Sequence, residues 1–229
     1  MFRHRVHQEE HTIHDIHIHD ETFRRQCVVH PQENPKGRET NKRQEQRMTA
    51  IGEKHGILWN TLSLSKVNKE DIYQTPIESV TMILPHIAKY RRVWEISCGR
   101  GNIVQACREA GHEVIGTDIL QDPKEDFLVY VPDFEWDVIL TNPPFSLKYE
   151  FLLRCYQHGK PFILLLPLDC LGYVSIAKLI GEKGSMTIFV PPRKIKYIDK
   201  AGRQNCPHFS SAFFGWKVTD ATENKVVFV

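Results

Sequence analysis

The chain has 229 residues, of which 41% are hydrophobic and 25% are charged. These fractions are ordinary for a folded globular protein and exclude a collagenous, coiled-coil or wholly disordered chain. A formal net charge of +2 permits binding to nucleic acid without requiring it. The length corresponds to one full domain with an appendage.

The N-terminal segment, residues 1–47, differs in composition from the rest. It holds seven of the twelve histidines, eight acids and nine lysines or arginines, and its few apolar residues follow no sustained period. Such a segment buries too little apolar surface to offset the entropy of ordering. We expect residues 1–47 to be mostly disordered, with one short helix near 38–48, and residues 48–229 to form the folded domain. Met48 is an alternative start of translation.

A histidine tract at positions 11, 14, 17 and 19 could bring two imidazoles together on a helix turn. No cysteine or carboxylate stands at a recognised zinc-finger spacing, so the sequence favours a solvated polar tail and no metal. The six cysteines form no Cys-x-x-Cys pair, which is typical of reduced thiols. The longest apolar run, 162–166, is too short to span a membrane, and the N-terminus lacks the apolar core of a secretory signal. We expect a cytoplasmic protein without membrane contact.

Helices and strands alternate from about residue 70. The apolar spacing predicts helices over 77–90 (kinked or ended at Pro85), 102–110, 149–157 and 171–181, and strands over 93–97, 113–117, 137–141, 161–166 and 186–190. This alternation predicts an α/β fold with a doubly wound, mainly parallel sheet. Residues 208–214 and 225–229 have no helix between them and are predicted to form an antiparallel C-terminal hairpin at the edge of the sheet.

A strand that runs into a Gly-x-Gly turn, followed by a helix, occupies residues 93–110. Gly99 and Gly101 let the backbone turn tightly and approach a ligand closely. Asp118 stands seventeen residues after Gly101, at the end of the next predicted strand, where a carboxylate can accept both hydroxyl protons of a ribose. The pattern predicts a nucleoside-cofactor loop, against the alternative that Asp118 only caps a turn.

Two residues of this region indicate what kind of cofactor fits. Val104 stands where a dinucleotide fingerprint has its third glycine, which argues against a pyrophosphate. Glu95, upstream of the glycines, suits a cofactor with a cationic amino-acid end.

The tetrapeptide Asn142-Pro143-Pro144-Phe145 follows a later predicted strand and enters the same crevice. The two prolines stiffen the loop and remove two N–H donors, so its carbonyls face outward as acceptors. An asparagine side-chain carbonyl and a proline carbonyl can together accept both hydrogens of an NH2 group and stabilise the charge that develops on its nitrogen. Phe145 offers a face on which a planar ring can stack. A proline-rich turn that merely caps the strand is the structural alternative.

The two motifs together resemble those of the amino-methyltransferases that use S-adenosyl-L-methionine. The phenylalanine after Asn-Pro-Pro most resembles the DNA N6-adenine methyltransferases, especially their compact, phage-type members. The resemblance covers about residues 70–218 and implies a Rossmann-like class I methyltransferase fold. It implies transfer of a methyl group from S-adenosyl-L-methionine to the N6 amine of adenine in DNA, after the base is flipped out of the duplex.

The resemblance also implies roles for individual residues. Tyr73, Thr75 and Pro76 match an aromatic-x-Thr-Pro segment over the methionine end of the cofactor, while Asp126 and Phe127 match a pair that holds the cofactor adenine. The implied cofactor-binding residues are Tyr73, Thr75, Pro76, Glu95, Ser97, Gly99, Gly101, Asp118, Ile119, Asp126 and Phe127. The implied catalytic residues are Asn142, Pro143, Pro144 and Phe145.

Residues near the C-terminus complete the expected site. Tyr197 lies in a segment similar to the family's closing segment and is the candidate for an aromatic wall of the target-base pocket. Arg193, Lys194 and Lys196 are expected to contact nucleic-acid phosphates, against the alternative of a solvated loop. Nucleic acid, DNA ahead of RNA, is therefore the expected partner.

Other functions stay open at this point. The same chemistry could act on RNA or on a protein glutamine, and a non-catalytic binding subunit could keep the fold without the reaction. An NAD-type oxidoreductase would need Gly or Ala at Val104 and has no use for Asn-Pro-Pro-Phe. The chain has no large separate segment after the catalytic motif that would recognise a target sequence, so the recognition sequence is not indicated, nor is the oligomeric state.

Overall fold

A seven-stranded sheet organises the part of the chain that the computed structural model describes, residues 73–199 and 201–229. The predicted disordered tail 1–47, its short helix, the histidine tract and the alternative start at Met48 all lie outside these described residues. No helix in the described ranges is long and apolar enough to cross a membrane.

The strands are β1 (Arg92–Glu95), β2 (Glu113–Gly116), β3 (Val138–Thr141), β4 (Phe162–Pro167), β5 (Met186–Val190), β6 (Tyr197–Ile198), β7 (Gln204–Asn205), β8 (Ser211–Trp216) and β9 (Lys225–Phe228). The large sheet has the order β2-β1-β3-β4-β8-β5-β9. All its neighbouring strands are parallel except β8, which is antiparallel to both β4 and β5. The predicted Rossmann-like α/β fold with a mainly parallel sheet is confirmed.

The order of the strands places a crevice beside β1. The chain goes from β1 outward to β2 and then returns to β3 on the other side of β1. In open α/β sheets, ligands bind outside the carboxyl ends of the strands at the point where the strand order reverses. The loops that follow β1, β2 and β3 therefore surround the place where a ligand is expected.

Antiparallel pairing is present in the C-terminal part, but in a different arrangement from the predicted one. Residues 208–214 and 225–229 do not pair with each other, because β8 lies inside the sheet and β9 runs parallel to β5 at its edge. All six residues of β8 are buried, as suits an interior strand, whereas β9 exposes Val226 and Phe228. The short antiparallel hairpin of the described chain is formed by β6 and β7.

The α-helices are α1 (Ile77–Thr81), α2 (Asn102–Glu109), α3 (Lys148–His158) and α4 (Val174–Lys183). The prediction of one helix over 77–90 is wrong beyond Thr81, since a separate 3₁₀ turn follows over Leu84–His86. Pro85 explains the break, because a proline ring clashes with the carbonyl four residues earlier, which here belongs to Thr81. The helix predicted over 171–181 begins three residues later, after a 3₁₀ turn over Leu168–Gly172.

Strand β4 shows why a continuous apolar run forms the centre of the sheet. Phe162, Leu164 and Leu166 belong to one buried apolar cluster, whereas Ile163 and Leu165 belong to another. Successive side chains of a strand point to opposite faces, so the two clusters lie on the two faces of the sheet. Both faces of β4 are therefore covered, as its sequence predicts.

Asp137 connects the beginnings of β1 and β3. Its Oδ2 accepts hydrogen bonds from the backbone N–H groups of Arg91, at 3.2 Å, and Arg92, at 2.8 Å, and its Oδ1 accepts one from the Arg92 guanidinium at 2.8 Å. The side-chain hydrogen bond from Arg92 is the largest of the effects that hold the pKa of Asp137 below its usual range. Asp137 therefore stabilises the fold most in its charged form.

We predict that Asp137→Asn lowers the free energy of unfolding by about 1 kcal/mol at pH 7, because the Arg92 side chain is 39% exposed and solvent screens the pair. The folded pKa of Asp137 lies below the unfolded value of about 3.9, so its stabilisation is present above that value and is lost as the pH falls through the folded pKa. Urea unfolding at pH 7 and pH 3 should show the gap between the two proteins narrowing at the lower pH. A gap that does not change with pH would contradict this account.

Candidate active site

A cavity open to solvent lies at the carboxyl ends of β1, β2 and β3. It contains parts of both sequence motifs. Its lining residues that the sequence predicted are Tyr73, Ser97, Gly99, Asp118, Ile119, Asp126, Phe127, Asn142 and Pro144. Its lining residues that the sequence analysis missed are Gln74, Ile96, Leu120, Leu147 and Phe151. Of the missed residues, four are apolar, and in the sequence an apolar residue beside a motif cannot be told from a residue of the core.

The loop after β1 brings its backbone to the cavity by means of two glycines. Gly99 has φ +50° and Gly101 has φ +83°, a region of backbone conformation that favours glycine. A Cβ atom at Gly99 would lie 2.6 Å from Nε2 of Gln74, which also lines the cavity. Gly101 is buried at the start of α2 and does not line the cavity. The absence of a side chain at Gly99 thus leaves room for the side chain of Gln74 beside the loop.

Asp118 stands just after β2 with 5% of its surface exposed. Its Oδ2 accepts a hydrogen bond from the N–H of Gly99, and its Oδ1 accepts one from the N–H of Leu120, each at 2.8 Å. Burial raises the pKa of Asp118, and the two backbone donors act in the opposite direction. The carboxylate is thus held rigidly at the cavity, in an orientation fixed by two amides.

A buried polar network links the loop after β1 to the loop after β3. Glu95 is fully buried at the end of β1, and its Oε1 accepts hydrogen bonds from the Thr141 hydroxyl and from the N–H of Ser97, the latter at 3.2 Å. The Ser97 hydroxyl lies 2.7 Å from Oγ1 of Thr141 and donates to the carbonyl of Asn142 at 3.1 Å. Glu95 itself does not line the cavity. Its observed contacts therefore join the two motifs.

The side chain of Asn142 is held at one end and open at the other. Its Nδ2 donates a hydrogen bond to the carbonyl of Tyr73 at 3.1 Å. Its Oδ1 is buried and has no hydrogen-bond partner among the described residues. A buried acceptor without a partner costs about 1–3 kcal/mol, so such an atom at a cavity wall is a strong sign of a ligand donor.

Four aromatic rings lie next to Asn142. The ring of Phe145 is 6.5 Å from that of Tyr73, at an interplanar angle of 27°, and 6.0 Å from that of Tyr197, at 78°. Phe209 packs edge-on against Phe145 at 5.5 Å. Phe145 is 8% exposed, and Tyr197 is fully buried with its hydroxyl donating to Ser211 Oγ at 2.8 Å. The structure thus brings Phe145 and Tyr197 together, but of these rings only Tyr73 lines the cavity.

The segment before α1 is fastened to the loop after β1 and to β6. Gln74 exchanges backbone hydrogen bonds with Ile198, and its side-chain Oε1 accepts from the N–H of Arg100 at 2.9 Å. Asn102 Nδ2 donates to the carbonyl of Thr75 at 2.9 Å. Thr75 and Pro76 are buried and lie outside the cavity lining.

A missed residue, Arg154, secures the loop that carries Asp126 and Phe127. Arg154 is 2% exposed and donates to the carbonyl of Phe127 at 3.3 Å and to that of Tyr130 at 2.9 Å. Burial lowers its pKa to about 10, which leaves it charged at neutral pH. Its signal in the sequence is an arginine among apolar positions of a predicted helix, a position that demands polar partners.

The predicted basic residues lie in the segment after β5. Arg193, Lys194 and Lys196 are exposed, while Ile195 and Tyr197 between and after them are buried. Lys194 Nζ donates to the carbonyl of His208 at 3.1 Å. None of the three lines the cavity. Pro143 is buried and is not itself a lining residue, but it stands between Asn142 and Pro144, which are.

Comparison with known proteins gives partial likenesses. No protein-family model matches the chain. A 47-residue segment, 20% of this chain, is 43% identical to the type II methyltransferase M.MpnI of Mycoplasma pneumoniae, of which it covers 15%. The match therefore spans a small part of that relative's length.

Two solved structures resemble parts of the fold. A modification subunit assigned to a type I restriction enzyme of Vibrio vulnificus YJ016 has a TM-score of 0.44 and 15% identity, over 69% of this chain and 47% of that one. A SAM-dependent methyltransferase of Archaeoglobus fulgidus has a TM-score of 0.38 and 18% identity, over 62% of this chain and 92% of that one. At this level of similarity, neither says anything about substrate or cofactor.

We predict that Thr141→Val lowers the free energy of unfolding by about 1–3 kcal/mol, because the buried Glu95 carboxylate loses a hydroxyl donor. Thr187→Val is the matched control, since Thr187 is also fully buried in a strand but its hydroxyl contacts only that of Thr219, at 2.8 Å. Denaturant unfolding of both variants measures the difference. Equal losses of unfolding free energy in the two variants would show that the hydrogen bond to Glu95 stabilises the fold no more than an ordinary hydroxyl contact.

Proposed function

We propose that this protein transfers a methyl group from S-adenosyl-L-methionine to the N6 amine of adenine in DNA. The observation that carries the proposal is the side chain of Asn142, whose amide nitrogen is anchored to Tyr73 while its buried oxygen has no partner among the described residues. An acceptor fixed in this way suits an NH2 donor. The similarity of 47 residues to a type II methyltransferase supports methyl transfer.

The cavity fits S-adenosyl-L-methionine by the chemistry of its lining. Asp118 supplies a fixed carboxylate for ribose hydroxyls, and Asp126 lies beside the apolar ring of Phe127, where an adenine fits. Gly99 offers bare backbone at the wall, because it lines the cavity and has no side chain. When bound, this cofactor supplies a methyl group on a positively charged sulfur, which is a good electrophile. The chain therefore needs to contribute position and polarisation.

Asn142 polarises the amine that accepts the methyl group. Its Oδ1 accepts one hydrogen of the target NH2, and the carbonyl of Pro143 accepts the other. Both acceptors become more favourable as positive charge develops on the nitrogen, and they are already fixed before the reaction begins. Tyr73 holds the amide so that the oxygen, and not the NH2 group, faces the substrate. Positioning of this kind contributes up to about 7–11 kcal/mol to lowering a barrier.

Phe145 supplies the surface for a planar base. Base–aromatic stacking contributes about 1–3 kcal/mol, and a glutamine side chain would gain less from it. In a duplex the adenine is paired and stacked between its neighbours, so it must leave the stack for its N6 amine to reach Asn142. The exposed Arg193, Lys194 and Lys196 suit the phosphates of the strand, which makes binding salt-dependent.

We predict that Asn142→Ala lowers kcat at least about a hundredfold while cofactor affinity changes little, because the lost oxygen acts on the developing charge. Labelled methyl transfer to unmethylated DNA, RNA and protein, followed by nucleoside digestion and mass spectrometry, measures this directly. N6-methyladenine from DNA that disappears in the variant is the expected result. Label in RNA or protein alone would show that the substrate is RNA or protein and not DNA. No transfer to any polymer would overturn the proposal.

We also predict that Asp118→Asn weakens binding of S-adenosyl-L-methionine about 10- to 100-fold, as expected for loss of charged acceptors for hydroxyl groups. Calorimetric titration measures the affinity. Asp122→Asn is a control, because Asp122 is an exposed loop aspartate whose side chain accepts only the N–H of Lys124, at 2.9 Å. Affinities that fall equally in both variants would exclude a specific role for Asp118.

A further inference from the structure

An exposed apolar ridge runs from the end of the 3₁₀ turn Leu168–Gly172 to the first residue of α4. It consists of Leu171, Tyr173 and Val174, whose exposed fractions are 37%, 48% and 82%. Single exposed apolar side chains are common on proteins, but three large ones within four residues form a patch that favours contact with a partner. The function proposed above gives this ridge no role.

The ridge projects from the same edge of the sheet as the candidate site. Thr141 of β3 is paired with Leu164 of β4, and β4 continues to Pro167, three residues further. At about 3.3 Å per residue, this extension carries the chain about 10 Å past the end of β3. The ridge therefore stands beyond the loop that carries Asn142.

Lys148 connects the ridge directly to the catalytic loop. Its Nζ donates a hydrogen bond to the carbonyl of Phe145 at 3.0 Å and lies 4.8 Å from the centre of the Tyr173 ring. A cation at this distance from a ring face is attracted by it. Lys148 thus bridges Tyr173 of the ridge and the backbone of Phe145, the residue on which the target base is proposed to stack.

We infer that the ridge of Leu171, Tyr173 and Val174 inserts into a DNA duplex and fills the space left by the flipped target base, an inference that rests on the proposed function. Extraction of a base leaves neighbouring base pairs unstacked, which costs free energy. Apolar side chains that enter between base steps replace part of the lost stacking. An apolar ridge next to the base site is suited to this task.

Size and charge favour DNA over a second copy of the chain. Three side chains offer much less than the roughly 800 Å² that each partner contributes to a stable protein interface. The exposed Arg193, Lys194 and Lys196 follow β5, which runs in the same direction as β4, so they lie at the same edge of the sheet as the ridge. Positive charge at the same edge as an apolar projection complements a duplex, with its phosphates outside and its bases inside.

The test compares one DNA in two forms. The double variant Tyr173→Ser with Val174→Ser and the wild type are assayed for methyl transfer to a circular single-stranded DNA and to its double-stranded form. We expect kcat/KM on the duplex to fall about tenfold or more and kcat/KM on the single strand to stay unchanged, since a single strand has no stack to open. Val226→Ser on β9, where the valine is 58% exposed, is the matched control and should change neither value.

Each other outcome overturns the inference in a distinguishable way. Equal losses on both forms would mean that the substitutions damage the site, and unchanged values on both would mean that the ridge has no role in opening the duplex. A change of molecular mass in light scattering on substitution would assign the ridge to contact between copies. If the wild type methylates neither form, the proposed function itself fails and the ridge inference fails with it.

Discussion

The buried carboxylate of Glu95 fixes the relation between the two loops on which the candidate site depends. It accepts hydrogen bonds from Thr141 and from the backbone of Ser97, and Ser97 in turn donates to the carbonyl of Asn142. A buried polar group that loses its hydrogen bonds costs free energy, so any displacement of either loop is penalised. The loop after β1 and the loop that carries Asn142 are therefore held as one unit.

A second connection runs through the segment before α1. The carbonyl of Tyr73 accepts the Asn142 amide, and Gln74 next to it joins Ile198 through the backbone and Arg100 through its side chain. The segment before α1 thus links the loop after β1 to the Asn142 amide through the Gln74 side chain and the Tyr73 carbonyl. The site is built on strand ends that are buried on both faces, which gives these short connections a rigid base.

The sequence was informative wherever local pattern and local physics agree. Strand β4 is a continuous apolar run buried on both faces, and Gly159 ends α3 with φ +71°, as the helix-stop pattern predicts. The predictions that failed did so because the structure there depends on contacts between residues far apart in the sequence. The place of β8 between β4 and β5 depends on pairing between residues about fifty positions apart, such as Phe162 and Trp216, and no local pattern encodes it. The break at Pro85 was expected, but its exact position follows from the clash with Thr81.

The candidate site was likewise predictable in its local features and not in its contacts between distant residues. The motifs located Asp118, Asn142 and their loops, because glycine allows tight turns and proline restricts the backbone, and both effects can be recognised in the sequence. They did not reveal that Glu95 joins the loops, nor that Arg154 reaches the carbonyl of Phe127 across 27 residues.

The orientation of Asn142 is the most informative detail that only the structure provides. An asparagine amide can face a cavity with either its oxygen or its nitrogen, and the two faces suit opposite ligands. The carbonyl of Tyr73 takes the nitrogen, so the oxygen remains for the ligand. A site that offered the nitrogen would suit a carbonyl or a carboxylate, whereas this one suits an NH2 group. The chemistry that the cavity favours is thus decided by a backbone carbonyl that lies outside both motifs.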